Sequence, residues 1–195
     1  MTPAMAEEAR LYTPEDLLSL PDSKSDELVD GRLVERKMGA ESSLIGMELS
    51  AGLHGFSREP HRGTVFPAEN GYQCFAHAPV LVGKPDISFV KKERLPREAV
   101  PKGWIRITPD LVVEVVLPGD TVVELEEKLE DDQKAGVPLI WVIYPEQRKA
   151  RVFRLEGPIT LVTGHDELTG EDVLPGFRCP LREILPPVAA GEAAV

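Results

Sequence analysis

Residues 110–144 constrain this chain more than any other stretch. "PDLVVEVV" (109–116) and "PLIWVIYP" (138–145) are apolar, β-branched runs of the length expected for strands buried on both faces. Between them Thr121 and Glu124 form a capping-box pattern that starts a helix at about 121–135. Val122, Leu125 and Leu129 form its apolar stripe, and Gly136 stops it. A strand, a helix and a second strand in this order predict two parallel strands joined by a right-handed crossover. Glu114 breaks the pattern, because it stands inside the first buried run. An ionised carboxylate there is costly unless a cation or several donors meet it.

The rest of the chain predicts elements that would complete an α/β domain. "TPEDLLSL" (13–20) reads as a short helix with Thr13 as cap, Pro14 at its first position and Asp16 closing a capping box. "DELVDGRLVERK" (26–37) alternates around Asp30-Gly31, a strong two-residue turn, so an N-terminal β-hairpin is expected at about 27–37. Ile45, Leu49, Leu53 and Phe56 recur at helical spacing, with Ser42 or Ser43 as a cap. "TVFPA", "GYQCFA" and "PDISFV" (64–90) read as strands, 91–108 as a charged surface loop, and "ARVFRL" and "PITLV" as an antiparallel meander. The expected fold is a mixed central sheet flanked by helices. A flexible leader covers 1–10, one domain 11–186, and a disordered tail 187–195.

Composition excludes several classes. With a net charge of −11 the chain does not coat nucleic acid non-specifically, although a local basic groove remains compatible with it. No apolar run reaches the roughly 18 residues of a membrane span. No basic leader followed by an apolar stretch opens the chain, so the expected location is the cytoplasm. Cys74 and Cys179 lie in no metal-binding spacing and read as reduced thiols. The four histidines show no ligand pattern, and neither a phosphate-binding loop nor a GxSxG nucleophile motif occurs.

What remains is a set of acids and a lysine. "KPDISFV" and "TPDLVVEV" both begin Pro-Asp and run into β-branched residues. If these strands are neighbours, Asp86 and Glu114 project into one notch. Clustered carboxylates suit Mg²⁺ or Mn²⁺, which activate water and steady charge on a phosphodiester. Glu27 opens the hairpin as a third acid, and Lys128 on the following helix could orient water or neutralise phosphate. Each residue also has a plainer reading. Glu114 could be one half of a structural ion pair, Asp86 a strand-start cap, and Glu27 solvated. Lys128 could belong to a solvated helix face, paired with Glu124. Asp110 reads as a strand-edge residue, and Trp104 as folded back on the core. Lys91, Lys92, Arg94 and Arg97 form a basic cluster that could touch phosphate or simply be solvated.

Six segments taken in order carry a resemblance. They are "DELVDGRLVE", "KPDISFV", "TPDLVVEVVLPGD", "EKLEDDQKAGVPLIWVIYPE", "ARVFRL" and "VLPGFRCPLREIL", and they span most of 11–185. In this order the chain resembles the Uma-two family of "putative restriction endonucleases", within the PD-(D/E)XK nuclease superfamily. The resemblance implies a restriction-endonuclease-like core and a metal-dependent endonuclease site acting on nucleic acid, with DNA the first expectation. It also implies self-association as a homodimer or higher oligomer. Asp86 matches the family's metal-binding Asp, Glu114 the acid of the D/E-x-K element, and Glu27 the Glu of "ELxDG". Val116 stands at the usual lysine position, and Lys128 matches a lysine moved onto the next helix. The chain has Leu117 where the family often has Ser, Asp132 where it often has an aromatic, and Ser42 and Ser43 where it often has His. These departures fit a second reading: a catalytically inactive nuclease fold acting as a binding or regulatory oligomer.

Overall fold

A computed structural model describes residues 10–21, 26–37, 39–58 and 60–187. The expected leader and tail therefore lie outside the described residues, apart from Arg10 and Pro187 at their inner ends. The strand–helix–strand unit forms as its pattern predicts. β5 (Leu111–Val115) pairs parallel with β6 (Leu139–Tyr144), and α3 (Val122–Lys134) connects them. The Thr121 hydroxyl accepts the Glu124 N–H, and the Glu124 carboxylate returns to the Thr121 N–H. Gly136 ends the helix at φ +83°, a left-handed conformation in which a side chain would be strained.

The remaining elements surround this unit. α1 (Pro14–Ser19) has the expected capping box, and β1 (Asp26–Val29) and β2 (Arg32–Glu35) form the hairpin. Asp30 and Gly31 both take positive φ, as a two-residue turn matched to strand twist requires. α2 (Ala40–Arg58) is followed by β3 (Gly63–Pro67) and β4 (Ile87–Lys91). β7 (Lys149–Arg154) and β8 (Thr160–Thr163) extend the sheet beyond β6. The six-stranded order is β3-β4-β5-β6-β7-β8, antiparallel except at β5–β6. β9 (Glu167–Thr169), β10 (Arg178–Pro180) and α4 (Leu181–Ile184) close the chain against the body.

The structure departs from the sequence expectation in several places, among them Val122, which is 70% exposed and lies outside the apolar stripe of α3. α2 begins two residues before Ser42, whose hydroxyl bonds the Gly39 carbonyl from inside the first turn. "GYQCFA" makes only single bridges at Tyr72, to Gly83 and Ile105, because the chain folds over the sheet there instead of joining it. A Cβ on Gly71 would lie 2.5 Å from the Trp104 ring, so glycine permits that close approach. Trp104 itself turns inward, donates to the Pro14 carbonyl and packs with Leu17, Leu28 and Val82. The basic cluster is dispersed: Lys91 bonds the Asp172 carbonyl, Arg94 pairs with Asp110, and Lys92 reaches Glu93.

The two faces of the sheet differ. Leu111, Val113 and Val115 of β5 meet Ile45, Leu49 and Leu53 of α2 and Trp141 of β6 in the main core. Val112 points the other way, toward Leu129 of α3 with Ile140 and Val142. Alternation along the strand places Glu114 on this second face.

Candidate active site

The site is built where β4 and β5 pass under the hairpin and α3. Ile87 pairs with Val113, so the antiparallel register continues to set Asp86 across from Glu114. The Val115 N–H donates to Asp86 Oδ2 at 2.7 Å, and the Arg36 guanidinium donates to Asp86 Oδ1. Arg36 also donates to the Ala68 carbonyl at 2.8 Å. Glu27 is 4% exposed. Its Oε1 accepts the Lys84 N–H at 2.8 Å, and its Oε2 meets Lys128 Nζ at 2.8 Å. Glu114 is 9% exposed, and among the described residues its carboxylate has no hydrogen-bond or ion-pair partner.

All four residues expected from the sequence, Glu27, Asp86, Glu114 and Lys128, therefore come together, and they do so from four separate elements. Helix α3 supplies Lys128 one turn before Asp132 and beside Leu129, which anchors the helix to the sheet. Glu27 is paired, not solvated. Lys128 reaches inward, and Lys37 takes Glu124 instead, at 3.1 Å, while also bonding the Gly119 carbonyl.

The electrostatics follow from burial and crowding. Desolvation raises the Glu114 carboxyl well above the ordinary range, Lys128 opposes this, and Asp86, Glu27 and Asp132 reinforce it. Desolvation likewise raises Asp86, against Arg36 and the Val115 N–H. Asp132 is raised to about 7, by burial first, with Glu27 and Asp131 adding to it against Lys128. Burial alone would lower Lys128, but Glu114 and Glu27 raise it, so it stays an ammonium ion. Several carboxylates thus share one lysine, in a place where a further positive charge would be stabilising.

Two hollows meet at this point. One, of about 100 Å³, is bordered by Asp86, Glu114, Arg36 and Lys37. The other, of about 250 Å³, lies under the hairpin on the α3 side. Glu27, Val34, Glu114, Glu124 and Lys128 belong to both.

Arg36 is the residue that sequence reasoning missed. Its signal was faint: it follows the second hairpin strand, two positions after Val34, which pairs with Glu27. Asp110, read as a strand-edge residue, does not join the cluster. It accepts the Lys91 N–H and pairs with Arg94 one strand-end away.

A mixed sheet with helices on its faces, and an acid pair beside a lysine where two of its strands meet, define a nuclease-type α/β protein. The chain belongs to the Uma2 family, described as "Putative restriction endonuclease", whose family model matches residues 14–182. Its fold is similar to that in the "crystal structure of a putative nuclease belonging to DUF820" from Anabaena variabilis ATCC 29413. That similarity has a TM-score of 0.73 at 18% sequence identity and covers 88% of this chain and 96% of the other. Among curated proteins, none matches the chain.

Proposed function

We propose that this chain is an endonuclease that uses Mg²⁺ or Mn²⁺ to hydrolyse phosphodiester bonds of nucleic acid, with DNA as the substrate. The observation that carries the proposal is Glu114: a buried carboxylate without a partner among the described residues, set across from Asp86 and beside Lys128. In this reading one domain over 11–186 carries the activity, as a homodimer or higher oligomer in the cytoplasm. No helix among the described residues is long and apolar enough to cross a membrane.

The donor set suits a hard divalent cation. Asp86 and Glu114 offer only oxygen, and the surplus of raised carboxylates favours added positive charge. Among the described residues no three His, Cys, Asp or Glu side chains are placed to hold an ion together. That suits Mg²⁺ chemistry, in which one or two carboxylates act with water and phosphate oxygens. When bound, the ion supplies Lewis acidity that makes water a better nucleophile and neutralises phosphate charge.

The chain's own residues do the rest. Glu27 fixes the Lys128 ammonium at 2.8 Å, so that the lysine faces the notch without having to be ordered by substrate. From there Lys128 orients the attacking water or meets a non-bridging phosphate oxygen. Arg36 and Lys37 border the same hollow and supply charge to the incoming backbone. Arg36 must release Asp86 Oδ1 for that oxygen to become a ligand.

This contact also favours the second reading, a nuclease fold kept as a binding or regulatory oligomer, because an arginine already neutralises one of the two acids. Calorimetric titration with Mn²⁺ of the wild type, Asp86→Asn and Glu114→Gln separates the two. The enzyme reading expects binding in the wild type, loss in both variants, and metal-dependent cleavage of DNA that either substitution abolishes. A folded wild type that neither binds Mn²⁺ nor cleaves nucleic acid at millimolar metal would decide for the binding protein.

A further inference from the structure

The larger hollow is lined differently from the notch it adjoins. Tyr72, Phe75 and Leu81 come from the segment folded over the sheet, Val112 from β5, and Val29 and Val34 from the hairpin. At about 250 Å³ it is several times the ~30 Å³ share of one water molecule. Its charged lining is mostly acidic, with Lys84 and Lys128 as the two cations. Glu27 is spent on Lys128, Glu124 on Lys37, and Asp131 on His77. Glu114, Glu127 and Asp132 also line it, and among the described residues none of their three side-chain carboxyls has a hydrogen-bond or ion-pair partner. Glu114 is nine-tenths buried, so its free acceptor oxygens are available only to something inside these hollows.

An apolar slot with an unpaired carboxylate acceptor, Glu127, on its wall selects for a flat ligand that carries adjacent N–H donors. It lies on the far side of the Glu27–Lys128 pair from Asp86 and Arg36, which border the smaller hollow and not this one. One nucleotide could therefore span the partition. Resting on the nuclease reading, we propose that this cavity is a nucleobase subsite. It takes an unstacked guanine from the strand whose phosphate enters the Asp86–Glu114 notch. Guanine offers N1–H and N2–H₂ side by side, which a carboxylate can accept in a paired contact. Thymine presents carbonyl oxygens on both sides of its single N–H, and these would face the acids. Adenine and cytosine present one donor beside an acceptor nitrogen. Tyr72 and Phe75 give the ring aromatic surface, as enzymes that hold a base outside the stack do. The acids thereby act on base choice as well as on chemistry, and the net negative charge of the chain becomes compatible with a nucleic-acid substrate.

The test uses free nucleosides and deoxyribose 5-phosphate as separate probes, titrated into the full-length protein and followed by NMR. Deoxyguanosine is expected to bind at least ten times more tightly than thymidine. Val29→Trp, at the half-exposed mouth, and Glu127→Lys, on the exposed face of α3, are each expected to erase that preference. Neither position is in the core, so both variants should fold. Deoxyribose 5-phosphate with Mn²⁺ reports the notch, and its binding should be unchanged in Val29→Trp. Equal binding of the two nucleosides, no deoxyguanosine binding at millimolar concentration, or a preference that survives Val29→Trp would each overturn the inference. If sugar phosphate binds without any base preference, the subsite falls and the nuclease reading stands. If deoxyguanosine binds as expected and sugar phosphate with Mn²⁺ does not, the subsite stands and the nuclease reading falls.

Discussion

Asp86 and Asp110 begin as near copies of each other. Each follows a proline and immediately precedes a strand of the central sheet. Each accepts one backbone N–H from the neighbouring strand, Val115 for Asp86 and Lys91 for Asp110. Each pairs its other oxygen with an arginine, Arg36 for Asp86 and Arg94 for Asp110. They differ in what lies beyond. The Asp110 side chain is 6% exposed, and among the described residues no other acid joins its pair. The Asp86 side chain is 25% exposed, opens on a hollow and has Glu114 across from it. The Pro-Asp start is thus a structural device that ties a strand end to its neighbour. It becomes a candidate site only where a second, unpaired acid and an opening are added.

That contrast can be broken by substituting each aspartate in turn. Asp86→Asn is expected to take Mn²⁺ binding below detection while leaving the protein folded. Asp110→Asn is expected to leave Mn²⁺ binding intact but to cost about 2 kcal/mol of stability, because Arg94 and the Lys91 N–H lose a buried charged partner, lessened by the partial exposure of Arg94. Denaturant midpoints and calorimetry on the same preparations check both halves. If Asp110→Asn also abolishes binding, the two positions are not distinct and the notch is misplaced. Lys128→Met tests the same boundary from α3. It strands Glu27 beside Glu114, and the expected loss is roughly 2 kcal/mol, lessened by the partial exposure of Lys128. Glu114→Gln should act in the opposite direction. Without metal it removes an unpartnered buried charge, and the melting temperature should rise by ~2–4 °C for about 1 kcal/mol.

The difference between the two aspartates also marks how far the sequence could be read. Local rules carried the elements. The Thr121 and Thr13 boxes, the Asp30-Gly31 turn and the stop at Gly136 are decided by neighbours three or four residues apart, and all appear in the structure. Glu114 was legible because a charge inside a β-branched run is anomalous on its own. Asp86 was legible only through its likeness to the second strand, a likeness that Asp110 shares equally. What distinguishes them is tertiary. Arg36 is 50 positions from Asp86, and the walls of the larger cavity come from Tyr72, Phe75 and Leu81 in a segment that reads as a strand but folds over the sheet. Alternation of side chains cannot report such a fold-over, since "GYQCFA" carries the same composition either way. The basic run at 91–97 keeps to its plainer reading as loop charge: its cations are separated by the turn that follows β4, with Lys92 and Arg94 both partly exposed.

Arg36 sharpens the comparison further. Arg94 has one task, but Arg36 stands between the Ala68 carbonyl and an acid that the nuclease reading assigns to metal. Any cation that binds Asp86 Oδ1 must first displace it, so part of the binding energy is spent on breaking that contact. Arg36→Gln keeps a donor for Ala68 and removes the competing charge. Mn²⁺ affinity without phosphate should then rise about tenfold, equivalent to ~1.4 kcal/mol. Arg94→Gln should leave it unchanged. A drop in Mn²⁺ affinity for Arg36→Gln would mean that the arginine positions Asp86 and does not compete for it.

A comparably small effect is expected at Asp132. Its carboxyl is raised to about 7 in the fold, chiefly by burial. In the unfolded chain it titrates near its ordinary value of about 4. Between those two values the folded state keeps a proton that the unfolded state has released. Stability therefore falls as pH rises from about 4 to about 7 and is lowest above that window. Asp86 and Glu114, also raised, slope the same way, so the wild type should melt at progressively lower temperature across this range. Asp132→Asn should flatten part of that slope, by about 1 kcal/mol between pH 5 and 8, because solvent at the half-buried side chain screens the rest. A variant of Asp132 that melts with the wild-type slope would show that the carboxylates of the notch, and not the helix acid behind them, set the response to pH.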